Sequence, residues 1–467
     1  MLKGFFTTFA NCFKIPELKS RIFFTILILC VCRLIAMIPV PGLDGAALSE
    51  FFKELSEKQE GGSLLSMYGL FTGGALQRCG IGSLGIMPYI SATIIIQLMS
   101  AVVPALSKLA REEGGRTKII QYGRYLTLVL CLFQGAVMAL AWENPGKAFQ
   151  GFQGDLIVNK DWIWMYRIQT VIILTTGTML LMWLGEQITE RGIGNGISLV
   201  ITIGILAQLP QACQMLLELF FPGEEVVKKF NLFHAVALIG LLLAVTAATI
   251  AVTQAQRKIP VQYAQRQVGR KMVQGSSSFM PLRVNYAGVM PIIFAQALLM
   301  FPEMLLSWTG RVLEIKLLQD LSVYFGQGQP VYVITYALMI IFFTYFWTAT
   351  QFNELQISDD LKKNGGYIPG VRPGQATCDF LHHTMSRITL AGAFFLTIIA
   401  VIPMMMADKA GIPYLVSQYF GGTSLLISVG VVLDTMRQME SHLLMRHYDG
   451  FLQGKKGRKG PRLRGRF

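Results

Sequence analysis

Apolar residues in this chain gather into windows of about 20, separated by short polar stretches. Ten such windows fall at roughly 22–40, 82–103, 120–142, 163–184, 195–217, 233–254, 286–308, 331–350, 387–406 and 418–436. About 20 apolar residues in a helix cross the roughly 30 Å hydrocarbon core of a bilayer. The pattern therefore predicts ten transmembrane helices and an all-α polytopic membrane protein. Pro39, Pro41, Pro104, Pro210 and Pro302 are expected at or near span ends, where a missing N–H costs least. One apolar segment, 64–77, does not fit the series. As a helix it would reach only about 21 Å, and Gly69, Gly73 and Gly74 interrupt it. It is too short to span and too apolar for an ordinary loop.

Composition supports the membrane reading. The 467 residues are 53% hydrophobic and 15% charged, against about 25% charged in soluble domains. The first window has the position of a secretory signal, yet it is long enough to span and ends in "MIPVPG", with no small-residue cleavage site, so it reads as a retained helix. With the N-terminus in the cytoplasm, cytoplasmic segments hold 28 Lys and Arg against 10 on the opposite side. The excess of basic residues marks the cytoplasmic face, so both termini are expected there. Residues 255–285 carry six basic and no acidic residues, and the tail from Gly454 carries seven basic and no acidic ones. Attraction to anionic lipids accounts for such a tail. The loop 255–285 is longer than topology requires and suits docking of something anionic outside the membrane.

Few groups within the spans could do chemistry. Ionisable residues at mid-membrane mark catalysis or ion coupling, and here Arg33 is the clearest example, with Arg124 and Arg167 in or at the edges of helices. Arg33 reads as paired with backbone or snorkelling within the bundle. His234, His382, His383, His442 and His447 all lie at or beyond helix ends, without the H-E-x-x-H spacing of a metal site. Seven cysteines (Cys12, Cys30, Cys32, Cys79, Cys131, Cys213 and Cys378) form no C-x-x-C pair and read as small buried hydrophobes. Neither disulfide, metal nor cofactor is expected. The stretch "ERGIGNGIS" lacks both a G-x-G-x-x-G spacing and a Walker lysine; Gly192, Gly194 and Gly196 suit a tight turn between the fourth and fifth helices. Ile86 and Ile90, and again Ile197 and Ile201, stand four apart on one helix face. Lipid contact, core packing and a hydrophobic pore constriction all fit that spacing.

Several longer motifs carry a resemblance. "IPVPG" (38–42), "FTGGAL" (71–76), "GIMPYISATIIIQL" (85–98), "WLGEQITERGIGNGIS" (183–198), "YAQRQVGR" (263–270), "LRVNYAGVMPIIFA" (282–295), "GYIPGVRPG" (366–374) and "FGGTSLLI" (420–427) run in order from the first window to the last. Together they resemble the SecY family, the central channel of bacterial protein translocation. The resemblance implies two five-helix halves, 1–217 and 218–467, related as inverted repeats and hinged at 218–232. Segment 64–77 resembles the family's re-entrant plug, with Leu65, Met67, Tyr68, Gly69, Phe71, Gly73 and Gly74. Irregular backbone at membrane depth is tolerated where protein or a water-filled cavity surrounds it.

By the same resemblance Ile86, Ile90, Ile197, Ile201, Ile293 and Ile402 match the pore ring. The second and seventh helices match a lateral gate carrying Ser91, Asn285 and Phe301, where Ser91 and Asn285 are candidates for a polar contact worth about 0.6–2 kcal/mol. Loops 255–285 and 351–386 match surfaces that dock the ribosome or the SecA motor, with Arg270, Lys271 and Arg372 as contacts. Lys271 stands where the family often has arginine, which keeps charge and loses bidentate phosphate binding. The family's further partners are SecE, which clamps the halves, peripheral SecG, YidC and SecDF, with signal peptides and nascent chains as clients. The implied function is a passive protein-conducting channel of the bacterial cytoplasmic membrane, without enzymatic activity. A secondary transporter built on inverted repeats is the alternative, and it should show midplane charges or paired broken helices.

Overall fold

The computed structural model describes residues 15–57, 69, 71–112, 114–148, 152, 154–157, 162–221, 232–263, 266–268, 271–273, 277–312, 316–324, 326, 329–410, 414–420 and 422–452. Helices dominate: α1 Pro16–Met37, α2 Gly45–Glu57, α3 Met87–Val102, α4 Pro104–Arg111, α5 Gly115–Glu143, α6 Ile163–Arg191, α7 Gly196–Leu206, α8 Leu209–Phe220 and α9 Leu232–Gln254 form the first part. After four short strands follow α10 Met290–Val312, α11 Lys316–Tyr324, α12 Pro330–Gln351, α13 Glu354–Lys363, α14 Gln375–Ala410, α15 Tyr414–Tyr419 and α16 Thr423–Leu452. Among the described residues, eight stretches are long and apolar enough to cross a membrane, and Met87–Val102 and Met290–Leu299 are shorter apolar helices. Each of the ten predicted windows falls on one of these.

Local chemistry explains where the helices depart from the windows. The second window opens at residue 82, yet α3 begins at Met87. "GIGSLG" before it forms hydrogen-bonded turns, and Pro88 stands in the first turn of α3, where its missing N–H has no partner to lose. At 16 residues α3 is about 24 Å long. The fifth window is two helices rather than one, because Pro210 does not sit at its end. It sits in the first turn of α8, where its ring forbids a continuous helix with α7. Pro302 likewise lies inside α10. The turn between α6 and α7 is as expected: Gly194 adopts φ +91°, a left-handed value open to glycine. Asn195 caps α7 by accepting from Ile197 N and Ser198 N.

Packing joins the helices into one bundle with a continuous apolar core that includes Ile28, Leu48, Ile94, Leu174, Ile205, Ile340 and Leu426. Arg33, Arg124 and Arg167 all have partners. Arg33 donates to the carbonyl of Gly73. Arg124 forms a bidentate pair with Glu186, and Arg167 pairs the same way with Glu143. These two pairs tie α5 to α6 at both ends. Helix α3 packs on α10, while α7 packs on α16 and α8 on α15.

The loop 255–285 is not irregular. It folds as β1 Gln256–Tyr263 against β4 Ser277–Arg283, with Ile259 opposite Met280, and β5 Gly366–Tyr367 pairs to the far side of β1 at Gln262 and Tyr263. A second hairpin joins β2 Arg266–Val268 to β3 Lys271–Val273. Ile259, Val261 and Leu282 point inward onto Phe352, Ile368, Leu381 and Met385. Loops 255–285 and 351–386 therefore form one small layer with its own core, built on the first part of α14.

Candidate functional site

The apolar segment 64–77 is described at residue 69 and from residue 71 onward; Leu65, Met67 and Tyr68 lie outside the described residues. It is not a helix throughout. Helical backbone ends at Thr72, and Gly73 and Gly74 follow with φ +65° and +82°. A single 3-10 turn, Leu76–Arg78, comes next and ends on Cys79, itself left-handed at φ +48°. The segment is nonetheless deeply packed: Phe71, Thr72, Ala75, Leu76 and Cys79 are buried. Gly74 N donates to Gly69 O at 2.9 Å and closes the loop on itself. Val40 N donates to Cys79 O, and Ile81 N to Ile38 O, so "IPVPG" is the strand-like wall on which the segment ends.

Its surroundings come from α1, α7 and the turn between α7 and α8. Arg33 of α1 donates to Gly73 O at 3.1 Å, and Gln208, between α7 and α8, donates to Gly69 O at 2.6 Å. Gly204 of α7 lies so close that a Cβ there would stand 3.1 Å from Phe71 O. Sequence reasoning flagged Arg33 and missed Gln208. The available signal was an amide two residues before the proline that interrupts the fifth apolar window.

The segment shares the continuous apolar core of the bundle with the candidate isoleucines. Ile86, Ile90, Ile201 and Ile293 are buried in one cluster, at 1 to 4% exposure, with Ile197 packed partly buried against it. Ile402 does not join them; it is 44% exposed. The buried stripe of α14 runs through Ala393, Leu396, Ala400 and Met404, spaced three or four apart. Two residues on from Ala400, Ile402 is turned about 200° away from that stripe. One turn beyond Ile293, Gln296 donates to Thr423 Oγ1 at 2.9 Å, and Thr423 donates to Gln418 Oε1 at 2.7 Å. This buried polar chain links α10 to the start of α16 and to Gln418 of α15, and no local sequence pattern foretells it.

Helices α3 and α10 pack together, yet no hydrogen bond joins Ser91 to Asn285 among the described residues. The Asn285 amide donates instead to Gly288 O at 2.8 Å, closing its own turn, and its buried Oδ1 has no partner. The side chain of Phe301 lies outside the described set. Of the docking candidates, Arg270 is outside the described residues and Lys271 opens β3 opposite Val268, its side chain undescribed. Arg372 is exposed, in a turn fixed by Val371 N on Ile368 O, and Thr377 Oγ1 donates to its carbonyl. No cluster of three metal-ligating side chains occurs among the described residues.

The helical bundle has clear counterparts among known proteins. Solved structures share the fold. One is described as the structure of a protein conducting channel, with TM-score 0.60, 18% identity and coverage of 95% of this chain and 99% of that one. Another is Sec61 in the canine ribosome-channel complex, with TM-score 0.58, 16% identity and coverage of 95% and 99%. In sequence, the protein translocase subunit SecY of Escherichia coli K12 is 44% identical over 438 residues, 94% of each chain. That of Chlamydia trachomatis serovar D is 40% identical over 453 residues, 96% of this chain and 98% of its own. The profile of the SecY family matches residues 80–436. This chain belongs to the SecY family, and it is a protein-conducting channel subunit of a protein translocase.

Proposed function

We propose that this channel moves unfolded secretory chains across the cytoplasmic membrane of a bacterium and releases apolar segments sideways into the lipid, with both termini on the cytoplasmic side. Segment 64–77 acts as the plug of the resting pore, and Ile86, Ile90, Ile197, Ile201 and Ile293 form the seal beneath it. The observation that carries this reading is the burial of Phe71, Leu76, Ile86, Ile90, Ile201 and Ile293 in one cluster, joined by a segment too short to span. Apolar side chains suit a seal, because they exclude water and ions and make no specific bonds to a passing chain of arbitrary sequence. A related channel is described as one whose plug domain stabilises the closed state and maintains a membrane seal, in keeping with this assignment.

Two halves divide at 218–232, and α3 with α10 supplies the lateral gate. Asn285 is turned onto its own loop, so apolar packing carries that seam, which an inserting signal helix can displace. The β1–β4–β5 layer with Arg372 is the docking surface for the SecA motor or the ribosome, joined by Arg270 and Lys271 on the β2–β3 hairpin. SecE clamps the halves, SecG, YidC and SecDF associate at the periphery, and anionic lipids attract the basic tail. The chain itself performs no chemical step; SecA, the elongating chain or the proton-motive force drives transport. Crosslinking a stalled, signal-bearing chain to photoreactive residues on α3 and α10 tests the reading. Crosslinks to both helices are expected. Their absence, together with small-solute uptake against a gradient in reconstituted vesicles, would instead support a secondary transporter.

A further inference from the structure

The plug segment is held by its main chain. Two of its carbonyl oxygens accept from side chains of other elements: Gly73 O from Arg33 at 3.1 Å and Gly69 O from Gln208 at 2.6 Å. Gln208 is 5% exposed, and an amide buried in apolar surroundings strongly favours keeping its partner. Arg33 approaches so closely that a Cβ on residue 73 would lie 2.2 Å from Nη1, so its grip requires glycine there. The turn that carries Gln208 also meets the second half of the bundle, where the Tyr419 hydroxyl of α15 donates to the carbonyl of Ile205. We propose that Arg33 and Gln208 are positioning residues that latch the closed plug, and that turn 205–208 couples plug release to separation of the halves.

The proposal rests on the plug reading above. Because Pro210 breaks the helix, turn 205–208 is not locked into a continuous α7–α8 rod and can shift when a contact on one side is lost. Movement of α15 away from α7 breaks the Tyr419 contact, loosens this turn and withdraws the amide from Gly69. Arg33, on α1, holds Gly73 independently of that movement, so release takes two events.

The test uses the channel reconstituted with its partner subunits, read by planar-bilayer conductance and by SecA-driven preprotein import. Deleting 65–74 addresses the plug itself and is expected to make the resting channel leak. Gln208→Leu is expected to open the resting channel about tenfold more often, the change that about 1.4 kcal/mol produces, with import retained. Arg33→Met should leak similarly, while Arg33→Lys and Gln208→Asn, which keep a donor, should restore most of the seal. Tyr419→Phe combined with Gln208→Leu should leak no more than Gln208→Leu alone, because both act through one turn. A leaking deletion with tight Gln208→Leu and Arg33→Met channels overturns the latch and leaves the plug standing. Multiplying effects in the double variant overturn the coupling. A tight deletion removes plug and latch together. Import at the parental rate shows that each variant has folded.

Discussion

At the scale of single residues, the ionisable groups inside the bundle were visible in the sequence, but their partners were not. Arg124 and Glu186 are 62 positions apart, and Arg33 and Gly73 are 40 apart. Their pairing follows from how the helices pack, and no local pattern encodes it. The same limit explains Ile402. Family resemblance places it with the other isoleucines, while its exposure is set by the side of α14 that faces the core. Burial makes Ile293, at 1% exposed, the sharper probe of the seal. An amide in its place would draw in water or stay unsatisfied, at a cost of roughly 1–3 kcal/mol in the closed state. That shifts a closed–open equilibrium by about 5- to 150-fold. Ile293→Asn is therefore expected to export a reporter whose signal sequence is crippled. Export no better than in the parent, at equal channel level, would remove Ile293 from the constriction.

At the scale of elements, helix positions were legible because a 20-residue apolar window has one solution in a bilayer. What the windows concealed were interruptions: the turn before Met87, the split at Pro210 and the unwinding at Gly73. Hydropathy averages over such features, while proline and glycine chemistry decides them. The β1–β4 pair was legible in principle, since in "RKIPVQY" Ile259 and Val261 alternate with polar residues, a strand period. Its basic charge instead made it read as a loop. Pro260 is tolerated in β1 because β5 pairs only at Gln262 and Tyr263, leaving that point with one neighbour. Arg372 belongs to this layer, in a turn held from both sides by backbone and threonine contacts. Arg372→Glu is expected to lower SecA-dependent import several-fold while leaving membrane insertion and the layer's fold intact. SecA affinity measured on vesicles is the check, and an unchanged affinity with unchanged import would count against docking there.

At the scale of the whole molecule, the apolar helices of the described residues and the β layer share a single long member. Helix α14 runs unbroken through 36 residues from Gln375 to Ala410, about 54 Å. Leu381 and Met385 near its start belong to the core of the β layer, and Leu396, Ala400 and Met404 belong to the core of the bundle. It is therefore a lever whose handle and blade are one piece of secondary structure. A tilt of about 3° about its midpoint moves each end by about 1.4 Å, given a half-length of about 27 Å, enough to disturb close-packed side chains. Force applied by whatever grips the β layer thus reaches the bundle core without crossing a loop. Replacing Ser386 and Arg387, which lie outside both cores, by glycine would soften the lever while keeping its helical register. Such a channel is expected to bind its motor at parental affinity and yet open less often when bound. Parental opening would mean that the thrust travels by another route.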